Sequence, residues 1–297
     1  MWWFAGIALA ALIIFNRAKR LRAALRIDAA KSALHHKDLE SVRRHLYTAE
    51  PSAQKLSEPR RSQYLGQIAI LRARAAYCEG HFYECEQRLD SALSYVEEAH
   101  TEKCQALQAE IHRLRGELCA DRGQPVKAEE HFRHAVESDQ LSDNQPLMVA
   151  DLLRLSDALL DQRKYDDAKP VAERAVQLKF KGKGQAAPTL AMASGDWQRA
   201  ERLLHKKVEH SAVLQDAAER SRLQFHLAAA QHEMGHHTEA VQTLREACET
   251  VEHDFGRNHP RMILALEKLA RALTQAGAVN EAAETKKLAH TLLLRSK

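Results

Sequence analysis

The chain has 297 residues, 45% of them hydrophobic and 28% charged, with a formal net charge of +4. That is enough apolar material to bury a core in one or two ordinary domains or in a single repeat array. The charge is small for this length and gives no reason to expect nucleic acid as a partner. Aromatic residues are only 5%, and alanine, leucine, arginine and glutamate dominate. This mix favours helices and is poor in the residues that strands prefer. Five cysteines (Cys78, Cys85, Cys104, Cys119, Cys248) form no Cys-x-x-Cys pair and read as buried, reduced thiols.

The first fifteen residues carry no charge and include Trp2, Trp3, Phe4, Leu12, Ile13, Ile14 and Phe15. At ~1.5 Å per residue they span roughly 22 Å, short of a ~30 Å hydrocarbon core. The deficit closes if the helix continues while Arg17, Lys19 and Arg20 snorkel to the interface. Trp2 and Trp3 suit the opposite interface. A cleaved signal peptide would place its basic residues first, and here the order is reversed. The expectation is therefore a single-pass anchor over residues 1–21, inserted in the lipid bilayer, with the N-terminus outside and the rest in the cytoplasm. With Gly6 the only glycine and no proline between Trp2 and Leu34, the anchor should run straight into the following domain, residues 22–297.

That domain is organised around Gly123-Gln124-Pro125-Val126-Lys127-Ala128-Glu129-Glu130-His131-Phe132-Arg133-His134-Ala135-Val136. Gly123 reads as a helix C-terminal glycine. Ala128, Phe132 and Ala135 share one face of the next helix, and the small Gly116 stands twelve residues before Ala128. Glu129 reads as solvated, its charge favouring the helix dipole. The same pattern recurs with turns at His36-Lys37, Gly80, Gly123, Arg163-Lys164, Gly195, Gly235 and Gly277. Their spacings of 43, 43, 40, 32, 40 and 42 residues predict seven helix-turn-helix pairs. Pro51 should close the first pair. Ser52 to Ser62 and Ser138 to Pro146 read as loops.

This glycine, alanine, large-apolar, alanine spacing resembles the tetratricopeptide repeat (TPR), whose simple unit is roughly 34 residues. The segment Phe255-Gly256-Arg257-Asn258-His259-Pro260, followed by Leu266, Leu269, Ala270 and Leu273, is similar to the longer repeat of kinesin light chains. Asn258 or His259 can cap that helix, and Pro260 fits its first turn. The fold expected is all-α: a TPR-like α-solenoid of about seven pairs preceded by a transmembrane helix. The shortened step and the Lys179-Phe180-Lys181-Gly182-Lys183-Gly184 segment suggest a break near 179–188.

No convergent catalytic set is present: there is no Gly-x-Ser-x-Gly elbow, no His-Glu-x-x-His and no phosphate-binding loop order. Seventeen histidines offer no three or four converging zinc ligands, because His232 and His236 straddle a helix end. No metal, no cofactor and no enzymatic activity are expected. In the TPR family the first helix of each pair lines a concave groove that takes peptides or helices. The resemblance implies a groove containing Arg74, Arg113, Glu117, Asp121, Asp157, Arg222, Phe225, Glu267 and Arg271. Its mixed signs suit a polypeptide better than nucleic acid. The leading expectation is a membrane-anchored cytoplasmic scaffold for protein–protein interaction, similar to bacterial inner-membrane repeat proteins that recruit assembly enzymes. The alternative is a periplasmic or organelle-surface chaperone, assembly factor or import receptor on the same anchor.

Overall fold

The computed structural model describes the backbone of residues 2–97, 101–141, 145–179, 188–213 and 217–295. Side chains are described for 17–97, 101–140, 145–178, 188–213 and 217–294. Every regular element among these residues is an α-helix, and the fourteen helices form seven consecutive pairs. The pairs are α1 (Trp2–His35) with α2 (Leu39–Gln54), α3 (Arg60–Cys78) with α4 (Phe82–Glu97), and α5 (Glu102–Asp121) with α6 (Pro125–Leu141). Then come α7 (Gln145–Asp161) with α8 (Tyr165–Lys179), and α9 (Pro188–Ala193) with α10 (Trp197–Val213). The last are α11 (Ala217–Glu233) with α12 (His237–Phe255), and α13 (Pro260–Gln275) with α14 (Val279–Arg295).

All seven turns fall where the spacing places them. Gly80, Gly123, Gly195, Gly235 and Gly277 have positive φ, and so do the non-glycine turn residues Lys37 (φ 57°) and Arg163 (φ 58°). Each turn closes with one pair of hydrogen bonds. At Gly123 the Gln124 N–H donates to Cys119 O at 2.9 Å and the Gly123 N–H donates to Ala120 O at 3.0 Å. This is the Schellman closure, which satisfies the last carbonyls of a helix. At Arg163 the same bonds run from Lys164 to Leu159 and from Arg163 to Leu160. The geometry is thus set by the packing of the pair, and glycine only lowers its cost.

Two compact units result. One comprises Met1–Arg115 with Glu137–Asp143, the other Gly116–Val136 with Asn144–Lys297. In the first, Ala23, Ile27 and Ala30 of α1 are fully or almost fully buried with Val42, Leu46 and Ala49 of α2, and α3 adds Ile68, Leu71 and Ala75. A buried leucine or isoleucine contributes about 1.5–3 kcal/mol, so Ile27 helps hold α1 against α2 and α3. In the second, Ala128 and Phe132 pack with Leu155, Leu159, Ala168, Ala200, Leu204 and Leu227. Further along, Ala240, Leu244, Ala265, Leu273 and Ala282 form the next cluster. The Gly116–Phe132 contact is close: a Cβ built on Gly116 would lie 2.5 Å from Phe132 Cε1.

Local details differ from the sequence expectations. Pro51 lies inside α2 rather than ending it. The irregular segments shrink, because α2 runs to Gln54 and α3 starts at Arg60, while α6 runs to Leu141. Cys85, Cys104 and Cys119 are buried, but Cys78 is exposed; none of the five is in a disulfide. Glu129 is not solvated: its side chain is only 13% exposed and bonds Arg133, Lys164 and Gln162. His259 caps α13 by accepting from Arg261 N at 3.1 Å, with Pro260 in the first turn. The segment 180–187, where a break is expected, lies outside the described residues.

The membrane localisation is corrected. Among the described residues no helix is long and apolar enough to cross a membrane. α1 continues unbroken from Trp2 to His35, but the side chains of Trp2, Trp3, Phe4, Leu12, Ile13, Ile14 and Phe15 lie outside the described residues. From residue 17 the helix carries Arg17, Lys19, Arg20, Arg22 and Arg26. Of its apolar side chains, Ala23, Ile27 and Ala30 turn into the protein core, while Leu21 and Leu25 are exposed. The bilayer partner and the out-to-in topology lose their basis with it, as do the anchored alternatives.

Candidate functional site

The first helices of successive pairs place their charged residues on one face, as a spacing of three or four residues requires. Most of the charges expected to line a groove are engaged within the fold. In the first unit, Arg74 pairs with Glu110 at 3.1 Å. Arg113 pairs with Asp139 at 2.8 Å, with the two side chains 7% and 1% exposed.

In the second unit the pairing is denser. Glu117 meets Arg154 at 3.0 Å. Asp121, at the end of α5, meets Arg261 at the start of α13 at 2.7 Å, although 140 residues separate them in sequence. Asp161 meets Lys268 at 2.9 Å. Asp157 is bound by Arg222, which Glu219 also holds at 2.7 Å, and His226 stands 3.6 Å away. The six-residue α9 explains the contact between Asp157 and Arg222. Where a full-length first helix would separate α7 from α11, the short one contributes Thr189, 3.3 Å from Asp157.

Burial would by itself raise the Asp157 carboxyl, but His226 and Arg222 outweigh it and hold the group well below the usual carboxylate range. Asp161 is likewise lowered: burial pushes up, Lys268 and His226 push down harder. At Glu129 burial is again opposed, here by hydrogen bonds from Arg133, Lys164 and Gln162, and the carboxyl falls to about 2.

The sign of the linkage follows. A carboxylate with a lowered folded pKa contributes stability that is fully present above its unfolded value of ~4.3 for Glu. That contribution is lost as the pH falls through the folded value. The melting difference between the wild-type protein and Glu129→Gln should therefore be full at neutral pH and shrink towards zero near pH 2. A difference that does not change between those pH values would refute the assignment.

Phe225, Glu267 and Arg271 differ from the paired set. Phe225 and Arg271 meet at a cleft of about 110 Å³ that also presents Met192, Trp197, Ala228 and Leu244. The Lys268 ammonium sits 5.6 Å from the centre of the Phe225 ring. Glu267 is exposed, with a carboxylate oxygen near Gly123. Another open depression belongs to the first unit. It measures about 650 Å³ and is lined by α1, α3 and α5 through residues including Ile27, Gln63, Tyr64, Gln67 and Thr101. Sequence reasoning missed it, because its residues are ordinary polar and basic side chains with no motif. The one signal is positional: they lie on first helices of three successive pairs with equal 43-residue steps. One group, half-buried Glu201 with exposed His236 and Glu239, brings ligand atoms within 4.8 Å of one another. Three such groups at the surface fall short of the closed tetrahedral set of a structural zinc site.

No family model and no curated protein matches the chain. Solved structures do. A Rap protein complexed with competence and sporulation factor superposes with a TM-score of 0.65 at 14% identity, covering 92% of this chain and 77% of its own. NprR in complex with its cognate peptide NprX gives 0.61 at 11% identity, with 97% and 87% covered. A signal-transduction ATPase from Pyrococcus horikoshii with a tetratricopeptide repeat sensor gives 0.56 at 13% identity, covering 97% of this chain and 45% of that one. At these identities the likeness is one of fold. The chain has an all-helical, TPR-like repeat fold, and its structural neighbours include proteins seen with a bound peptide or factor.

Proposed function

We propose that this protein is a non-catalytic binding module that holds a polypeptide partner on the inner, first-helix face of its repeats. The observation that carries the reading is the open depression of about 650 Å³ across α1, α3 and α5. Its size lies within the ~300–1,000 Å³ usual for ligand pockets. Gln67 and Tyr64 bring an amide and a hydroxyl, of both donor and acceptor type, to its wall, which suits the alternating N–H and C=O of an extended chain, while Gln63 and Thr101 in the same wall bond each other at 2.9 Å. Two neighbours of the same fold, the Rap protein and NprR, are seen with a peptide or factor bound. A scaffold role, in which the bound chain is recruited or regulated, is the natural use of such a face.

The test places a photo-crosslinking residue at Gln67, inside the depression, and separately at Gln87, exposed on α4. Crosslinks to a polypeptide partner in native extract should form from position 67 and be at background from position 87. Equal yields from the two positions would refute the assignment of the face.

A further inference from the structure

We propose that the depression on the first unit recognises an acidic, extended polypeptide segment whose carboxylates recur at every third residue. The inference rests on the polypeptide-binding reading above and gives it a partner chemistry.

Charge availability motivates it. Elsewhere on the first helices most charges are spent on partners within the fold, as in Arg74–Glu110, Arg113–Asp139, Asp121–Arg261 and Asp161–Lys268. Around the depression they are not. Arg20, Lys31, Arg60 and Lys103 line it together with two carboxylates, Asp28 and Glu102. Lys31 reaches Asp28 only at 4.0 Å, and Arg20, Arg60 and Lys103 are exposed with no hydrogen bond or ion pair among the described residues. Exposed basic side chains without partners in a concave surface raise the local concentration of an anionic ligand.

The repeat fixes the arrangement of these cations. The turns at Lys37, Gly80 and Gly123 are 43 residues apart, and Arg17, Arg60 and Lys103 each stand twenty residues before their own turn. They are equivalent positions on three successive first helices, with Arg20 one turn beyond Arg17 on the same helix. The row therefore crosses the helices rather than following one. The starts of α3 and α5 lie beside Arg60 and Lys103, and their N-terminal dipoles add to the positive potential. The helices of the row are close neighbours: Gln63 of α3 donates to Thr101, just before α5, at 2.9 Å. Packed helices lie ~8–10 Å apart, and an extended chain advances ~3.3 Å per residue. Three residues of ligand thus span one helix, so carboxylates at i, i+3 and i+6 meet successive cations. Asp28 and Glu102 disfavour the uniform polyanion of a nucleic acid, which would want an uninterrupted basic track.

The probe is a labelled peptide of about ten residues with glutamates at i, i+3 and i+6 in an alanine-serine background. Controls are a peptide of the same composition with the three glutamates contiguous, the lysine version of the spaced peptide, and a single-stranded oligonucleotide. Binding to the full chain is read by fluorescence anisotropy at low and high salt. The spaced acidic peptide should bind about tenfold tighter than the contiguous one and weaken with salt. The Arg60→Glu/Lys103→Glu protein should lose that binding while keeping its helical circular dichroism. The Arg60→Gln/Lys103→Gln protein, which introduces no new charge, should be intermediate. Unchanged binding in both variants, equal binding of the two acidic peptides, or preference for the lysine peptide or the oligonucleotide would overturn the proposal. A partner that still crosslinks from position 67 in the reversed protein would overturn the acidic chemistry alone and leave the binding face standing.

Discussion

Asp139→Ala should destabilise the first unit by about 3–5 kcal/mol, the usual cost of removing one member of a buried ion pair. The Arg113 guanidinium that Asp139 balances is 7% exposed and the carboxylate 1%, so solvent screening offers little relief. The contrast is Glu40→Ala. Glu40 pairs with Arg44 at 3.2 Å, but the side chains are 86% and 67% exposed. Loss of that pair should change stability by less than about 1 kcal/mol. Urea unfolding followed by helical circular dichroism measures both. Similar midpoint shifts for the two variants would show that Arg113 and Asp139 are not the buried pair described.

Phe132→Ala should cost about 3–5 kcal/mol in the second unit, because the ring is 2% exposed and fills the space above Gly116. Gly116→Ala meets the same contact from the other side. Its new Cβ would approach the ring to 2.5 Å, where something must move, and overpacking costs about 1–3 kcal/mol. The two positions are therefore coupled. In a Phe132→Leu background, Gly116→Ala should cost less than in the native protein, with an interaction energy of about 0.5–3 kcal/mol. Strict additivity in the double-mutant cycle would show that the small and large residues do not share one contact.

These two sites mark how far the sequence could be read. The Gly116–Phe132 contact follows from local spacing, since small and large residues at helical intervals need only the neighbouring helix to define their partner. The turns were legible for the same reason, including Lys37 and Arg163, where no glycine advertises the left-handed residue. The partner of Arg113 was not legible. Helical periodicity puts Arg113, Glu117 and Asp121 on one face, but their partners come from three different helices, at Asp139, Arg154 and Arg261. Which of them meet depends on how α5 packs against α6, α7 and α13. Glu129 shows the same limit, as its three partners are set partly by Gln162 and Lys164 from the next pair. The apolar N-terminal run was legible as composition but not as placement. From Arg17 onward its helix is basic, and Ala23, Ile27 and Ala30 serve the core while Leu21 and Leu25 stay exposed.

On the proposed reading, the free charge for binding lies elsewhere than the mixed-sign residues counted along the sequence. The residues with both signs are largely occupied with one another, whereas Arg20, Arg60 and Lys103 remain available at the depression on the first unit. Recognition there would draw on ion pairs at the rim and on backbone hydrogen bonds to Gln67 and Tyr64 within.

The measurement closest to the central claim is the crosslinking comparison between Gln67 and Gln87, carried to the level of the peptide attached at each position. A polypeptide joined at 67 through a single recurrent segment, with only background at 87, is the result that an inner-face binding module predicts. The same partners joined at both positions in equal yield, or only at the outer position on α4, would contradict it.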